Sequence, residues 1–226
     1  MREETETGGW IKMNLNNITV NTQSSIRIAG SKILYFDPYQ IGEAVHDADI
    51  VFITHDHYDH FEPSSIEKIR KETTLLVAPE SMKKKALSES GMATAQCLFW
   101  NPGERVEADG LPVETVPAYN KLKPFHTKGK KWQGYVVTMD EIRYYVSGDT
   151  DVNEDIGKVR CDVALLPIGG FYTMDWKQAA QYAAQLKPKA VVPTHYGSIV
   201  GKKTDGADFA KALGQMDANI KVELKL

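Results

Sequence analysis

The sequence predicts a layered α/β domain, on three observations. Short apolar runs with strand chemistry recur along the chain, helix-length segments are interspersed among them, and 226 residues with 42% apolar content suffice for one sizeable core. The sequence shows no internal repeat and no low-complexity linker, so residues 1–226 are expected to form a single domain.

The elements follow in order. Strands are expected at 17–20 (NITV), 25–30 (SIRIAG), 32–37 (KILYFD) and 49–55 (DIVFITH). Within the last, IVFI is a continuous apolar run, as in a strand covered on both faces. Residues 62–72 read as a helix with Ser64 or Ser65 near its cap, 74–79 (TLLVAP) as a strand, and 80–90 as a short helix ending near Gly91. Residues 113–119 form a strand, and 134–149 a hairpin that turns at Met139-Asp140-Glu141. A buried strand at 162–170 runs into a glycine loop, the helix 175–186 is closed by Lys187-Pro188, and 190–197 is the next strand. A helix over 205–216 and a strand over 220–226 complete the chain.

Composition excludes several classes. A formal charge of −3 and a pI near 6.1 give no electrostatic footprint for nucleic acid. No apolar run approaches the roughly 18 residues of a membrane helix, and the acidic start MREETETGGW is no secretory signal. Cys97 and Cys161 form no CxxC pair and are expected to be reduced, in or near a core. These features predict a cytoplasmic protein with neither a nucleic-acid nor a membrane partner; the oligomeric state is not legible.

The chemistry concentrates in ITHDHYDHF (53–61), where His55, His57, Asp59 and His60 form H-x-H-x-D-H directly after a buried strand. Imidazole and carboxylate are ligands for zinc and similar divalent ions. At that spacing the four cannot all reach one ion, but they can feed two neighbouring ones, His55 and His57 the first, Asp59 and His60 the second. Two later strands end alike: YYVSGDT places Asp149 beside Gly148, and VVPTHYG places His195 just past an apolar run. They offer a bridging carboxylate and a further imidazole, in the way open sheets build sites at their strand ends.

This order, H-x-H-x-D-H, then Ser147-Gly148-Asp149-Thr150, then Thr194-His195-Tyr196-Gly197, resembles the metallo-β-lactamase superfamily from about residue 17 to 200. Asp37-Pro38 is similar to that family's early aspartate. The resemblance implies a four-layer αββα sandwich with a two-metal site at one edge. ALLPIGGFYTM (164–174) and PAYN (117–120) further resemble a small-hydrolase branch that includes ascorbate-6-phosphate lactonase-like proteins. One position departs from the pattern. The family places a third histidine for the first metal in a context like P-A-x-H, and here Asn120 occupies it; His126, six residues on, is the alternative ligand, and Asn120→His is expected to tighten the first metal unless His126 already fills the position.

The expected cofactor is Zn2+, one or two ions per chain, with Mn2+, Fe2+ or Ni2+ compatible with the same donors. Two divalent ions, less the charges of Asp59 and Asp149 and a bound hydroxide, leave about +1, which favours anionic substrates or transition states. The expected reaction is attack of a metal-bound hydroxide on an ester, lactone, amide or phosphodiester of a small, anionic molecule, with Asp59 and His60 as catalytic residues. Asn120, His126, Tyr119, Gly169, Tyr172 and Thr173 are the expected substrate-side residues. Lys121, Lys123, Lys128, Lys130 and Lys131 are read either as a solvated loop or as a cationic lip, and Tyr119, Phe125 and Trp132 as an apolar wall. Thr173 is alternatively a helix cap. The competing readings are a metal-binding protein with a degenerate site and little catalysis, and a mononuclear iron oxygenase.

Overall fold

The computed structural model describes residues 14–226; the acidic N-terminal stretch read above lies outside the described residues. Two mixed sheets face each other. The first carries β1 (Ile18–Val20), β2 (Ile26–Ala29), β3 (Ile33–Phe36), β4 (Ala48–Phe52), β5 (Arg70–Pro79) and β6 (Cys97–Trp100) in sequence order. The second carries β7 (Arg105–Ala108), β8 (Leu111–Pro117), β9 (Gln133–Met139), β10 (Ile142–Val146), β11 (Val163–Pro167), β12 (Ala190–Thr194) and β13 (Lys221–Val222). Each sheet starts antiparallel and turns parallel, from β3 onward in the first and from β10 onward in the second.

Alternation along the strands divides three cores. Ile50 and Phe52 of β4 face Val163, Leu165 and Tyr135 between the sheets. Val51 and Ile53 point the other way, onto α1 (Pro63–Ile69) and α2 (Lys83–Glu89). Ala164 and Leu166 of β11 do the same beneath α3 (Trp176–Leu186) and α4 (Asp205–Met216). The four-layer αββα sandwich follows from this two-sided burial of the central parallel strands. Among the described residues no helix is long and apolar enough to cross a membrane.

Several boundaries moved. The helix expected over 62–72 stops at Ile69, because Arg70 turns extended (φ −69°, ψ 144°) and pairs with Ala48 across a bulge. β6 and β7 have no counterpart in the sequence reading. Both are four residues long, and neither buries a full alternating face. The final strand shrinks to Lys221–Val222. The β9–β10 turn is a two-residue one, with Asp140 and Glu141 both at positive φ (52° and 64°), the geometry that matches strand twist. Thr173 does not cap α3: Asp175 does, in a reciprocal capping box with Gln178. Both cysteines are free and partly buried, and burial pushes the Cys161 thiol up to about 12.

Candidate metal centre

The C-terminal ends of β4, β10 and β12 converge on one edge of the sandwich. Phe36 and Phe52 stack at 4.8 Å beneath this edge, and the Tyr135 hydroxyl donates across the sheets to the Ile53 carbonyl at 2.7 Å. That floor fixes Thr54 and the histidines after it. Gly148 sits at φ 64°, and any Cβ there would meet the Thr54 Cβ at 2.9 Å, so only glycine lets Asp149 approach.

Three donor groups form; in one of them, Asp37, His55 and His60, the Asp37 carboxylate is already taken up by Thr54 and by His60 Nδ1, which leaves two open triads. His55, His57 and His126 gather on one side; Asp59, His60 and His195 on the other, the donor atoms of each triad all within 4.8 Å. Asp149 stands between them, with Oδ2 3.3 Å from His126 Nε2 and 3.4 Å from His195 Nε2, and Oδ1 3.5 Å from His60 Nε2. His55 Nε2 and His57 Nδ1 are 3.0 Å apart, His60 Nε2 and His195 Nε2 3.2 Å, and Asp59 Oδ2 and His195 Nε2 3.3 Å. Donors about 2.0 Å from a shared tetrahedral ion stand roughly 3.3 Å from one another, so these spacings fit ions within both triads. Asp149 Oδ1 and His126 Nε2 are buried without hydrogen-bond partners, as expected of atoms reserved for an ion.

The network also sets the tautomers. Thr54 Oγ1 gives its one proton to Asp37 Oδ2 at 2.6 Å, so at 2.9 Å it accepts from His55 Nδ1, leaving His55 Nε2 bare toward the centre. His60 Nδ1 donates to the same Asp37 oxygen at 2.7 Å, leaving its Nε2 bare as well. Without an ion, burial opposes a charge on His60, but Asp149 and Asp37 overcome it and hold the imidazole well above its ordinary range, so Nε2 then carries a proton that an ion would displace. Burial and the neighbouring His60 drive His55 well below its own. Burial works to raise Asp149, yet His195 and His60 pull it well below the usual carboxylate range. Burial and the hydrogen bond with His195 act in opposite senses on Asp59, and the net effect is a lowered pKa. The cluster is thus built to hold positive charge. The described donors are imidazole and carboxylate with no thiolate, a set that suits zinc, manganese, iron or nickel.

The remaining residues divide. His126, expected beside the substrate, stands in the first triad, reached by a loop that doubles back: Asn120 N donates to His126 O at 2.7 Å, and His126 adopts φ 53°. The Asn120 amide instead donates to the Tyr172 carbonyl at 2.7 Å and holds that loop. Tyr172 lines the cavity over the two triads. Tyr119 does not; its hydroxyl meets Asp155 and Lys128, and its ring borders a separate cavity. Gly169 presses against the His195 backbone, where a Cβ would come within 2.3 Å of the carbonyl oxygen, and Thr173 is fully buried. Trp132 backs the first triad, with ring centroids 4.8 Å from His55, 4.9 Å from His57 and 5.4 Å from His126. Three of the five loop lysines are paired, Lys121 with Glu154, Lys123 with Asp151 and Lys128 with Asp155; Lys130 and Lys131 are exposed, and none of the five lines the cavity.

The chain matches the beta-lactamase superfamily domain model over residues 16–196. It is 34% identical over 201 residues to a UPF0173 metal-dependent hydrolase of Methanosphaerula palustris, covering 83% of this chain and 87% of that one. A relative of the same description in Thermococcus onnurineus is 30% identical over 203 residues, covering 84% and 89%. Among solved structures, Igni18, a metallo hydrolase of Ignicoccus hospitalis, superposes with a TM-score of 0.75 at 25% identity, covering 92% and 93% of the two chains. With the αββα sandwich and its two donor triads in place, the chain belongs to the metallo-β-lactamase superfamily.

Proposed function

We propose that the protein is a metal-dependent hydrolase that holds two divalent ions and cleaves an ester, lactone or phosphodiester of a small molecule. The observation that carries this is the pair of triads bridged by Asp149 at the floor of an open cavity of about 280 Å³. Relatives along most of the chain bear the name metal-dependent hydrolase. The sequence likeness to the ascorbate-6-phosphate lactonase branch favours a lactone or ester within that range.

His55, His57 and His126 would hold the first ion and Asp59, His60 and His195 the second, with the Asp149 carboxylate standing between the two sets. Bound there, such ions supply hydroxide at neutral pH and a Lewis acid for the scissile oxygen. Asp59, kept ionised, would orient the attacking water. Asp37 and Thr54 keep His60 and His55 in the tautomers that face the ions. Trp132 excludes water from behind the first triad, which strengthens every charge interaction in front of it.

The reading of a degenerate site rested on Asn120. It loses that motive, because His126 stands in the first triad. The test is turnover of an ester, lactone and phosphodiester panel by protein stripped of metal and then reloaded. Hydrolysis only after reloading, lost in His57→Ala and His60→Ala while both variants stay folded, is expected. Inertness of the fully loaded protein toward every class contradicts the reading.

A further inference from the structure

The cavity over the two triads has its ionisable imidazole and carboxylate groups on its floor, and its walls are mostly aromatic and aliphatic. Its walls are Tyr58, Phe125, Tyr172 and Ile199, and among its described lining residues there is neither lysine nor arginine. Three of these four belong to the few large apolar side chains that stand exposed: Tyr58 at 63%, Phe125 at 38% and Ile199 at 42%. Phe171, 68% exposed, extends the wall outward. It meets Phe125 at 6.0 Å and Tyr172 at 4.8 Å, and Phe125 meets Tyr172 edge-on at 4.8 Å.

Such side chains are normally buried, and a contiguous exposed group of them marks a binding surface. This one continues into the metal cavity. The basic loop beside it sends no lysine into the cavity, and three of its five lysines are paired with carboxylates. Lys123 ties down Asp151 and the Gly170 and Thr173 carbonyls, which fastens the loop carrying Phe125 to the loop carrying Phe171. The lysines thus build the aromatic mouth and do not line it.

We propose that the substrate carries an apolar substituent, an acyl chain or an aryl group, which lies against Phe125, Phe171, Tyr172 and Ile199 while its ester or lactone carbonyl reaches the metals. This rests on the hydrolase reading above. In the reaction the acyl C–O bond to the leaving oxygen breaks, a C–O bond to the water oxygen forms, and the water proton ends on the leaving oxygen; no other reactant is needed. The charge of the metals serves the oxyanion of the transition state, and the aromatic mouth selects the substituent.

The test uses the metal-loaded full chain and two ladders. The first is kcat/KM for para-nitrophenyl acetate, butyrate and hexanoate. The second is binding of acetate, butyrate and hexanoate by calorimetry, which needs no turnover. Burial of each methylene at full value is worth about fourfold, so a half-open mouth is expected to give about two- to threefold per methylene in both ladders. Phe171→Ser and Phe125→Ser are expected to flatten both. A turnover ladder that is flat or falling overturns the proposal and leaves the hydrolase reading intact. Absent turnover with a rising binding ladder, flattened in the variants, supports the apolar mouth and counts against ester hydrolysis. A flat binding ladder together with concentration-dependent dimerisation abolished by Phe171→Ser overturns the proposal and assigns the patch to a second copy of the chain.

Discussion

Asp37 Oδ2 lies 2.7 Å from His60 Nδ1 and 2.6 Å from the Thr54 hydroxyl, which in turn accepts from His55 Nδ1. One fully buried carboxylate therefore orients one imidazole of each triad, although it faces neither ion.

Asp37→Asn disturbs the network in either orientation, because its amide nitrogen meets the His60 and Thr54 side-chain donors at one position or the Thr54 backbone N–H at the other. Loss of such an orienting partner typically costs 10- to 100-fold in metal affinity. We expect that loss at both positions, read by competition against a graded series of chelators. A loss confined to one ion contradicts the shared role of Asp37.

Asn120→His tests how the first triad is completed. The expectation from sequence alone was tighter metal binding. The structure reverses it, since His126 already stands with His55 and His57 and the Asn120 amide is engaged with the Tyr172 carbonyl. We expect affinity for the first ion to be unchanged or weaker in the same chelator competition. A gain of tenfold would mean that Asn120, and not His126, faces the ion.

Trp132→Ala removes a buried ring that touches three imidazoles. Large-to-small changes of this kind cost about 3–5 kcal/mol. We expect that loss in denaturant unfolding of the metal-free protein, and a weakened first ion in the loaded one. Trp132→Phe, which keeps an aromatic face, is expected to restore most of the metal affinity.

The paired lysines make a prediction about salt. A free cationic lip would make kcat/KM for anionic esters fall steeply with ionic strength. With Lys121, Lys123 and Lys128 neutralised by Glu154, Asp151 and Asp155, the dependence is expected to be shallow. Lys121→Ala, which breaks an exposed pair, is expected to leave stability nearly unchanged. Lys123→Ala, which frees two loops at once, is expected to raise KM. Steep salt dependence lost in Lys121→Ala contradicts the pairing.

The sequence disclosed residues whose role follows from their place in the chain. His55, His57, Asp59 and His60 sit in one turn after a two-sided apolar strand, and Asp149 and His195 repeat that position after two more. Periodicity reads such strands well, because both faces are buried. It reads β6 and β7 poorly, because four-residue strands with little full burial carry almost no pattern. His126 was less legible than Asn120, because what brings it to the ions is a backbone reversal, marked by a positive φ that no local residue type announces. The lysine pairings join residues about thirty positions apart, and Trp132 gains its role only once β9 is laid beside the end of β4. Contacts of that range are products of topology, and one-dimensional patterns do not contain them.

The central claim is a two-ion centre whose first ion is completed by His126. Elemental analysis of protein purified without added metal or chelator, in wild type and His126→Ala, tests it most directly. Two ions per chain in the wild type, falling toward one in the variant, is the predicted result. One ion in both proteins would contradict the account.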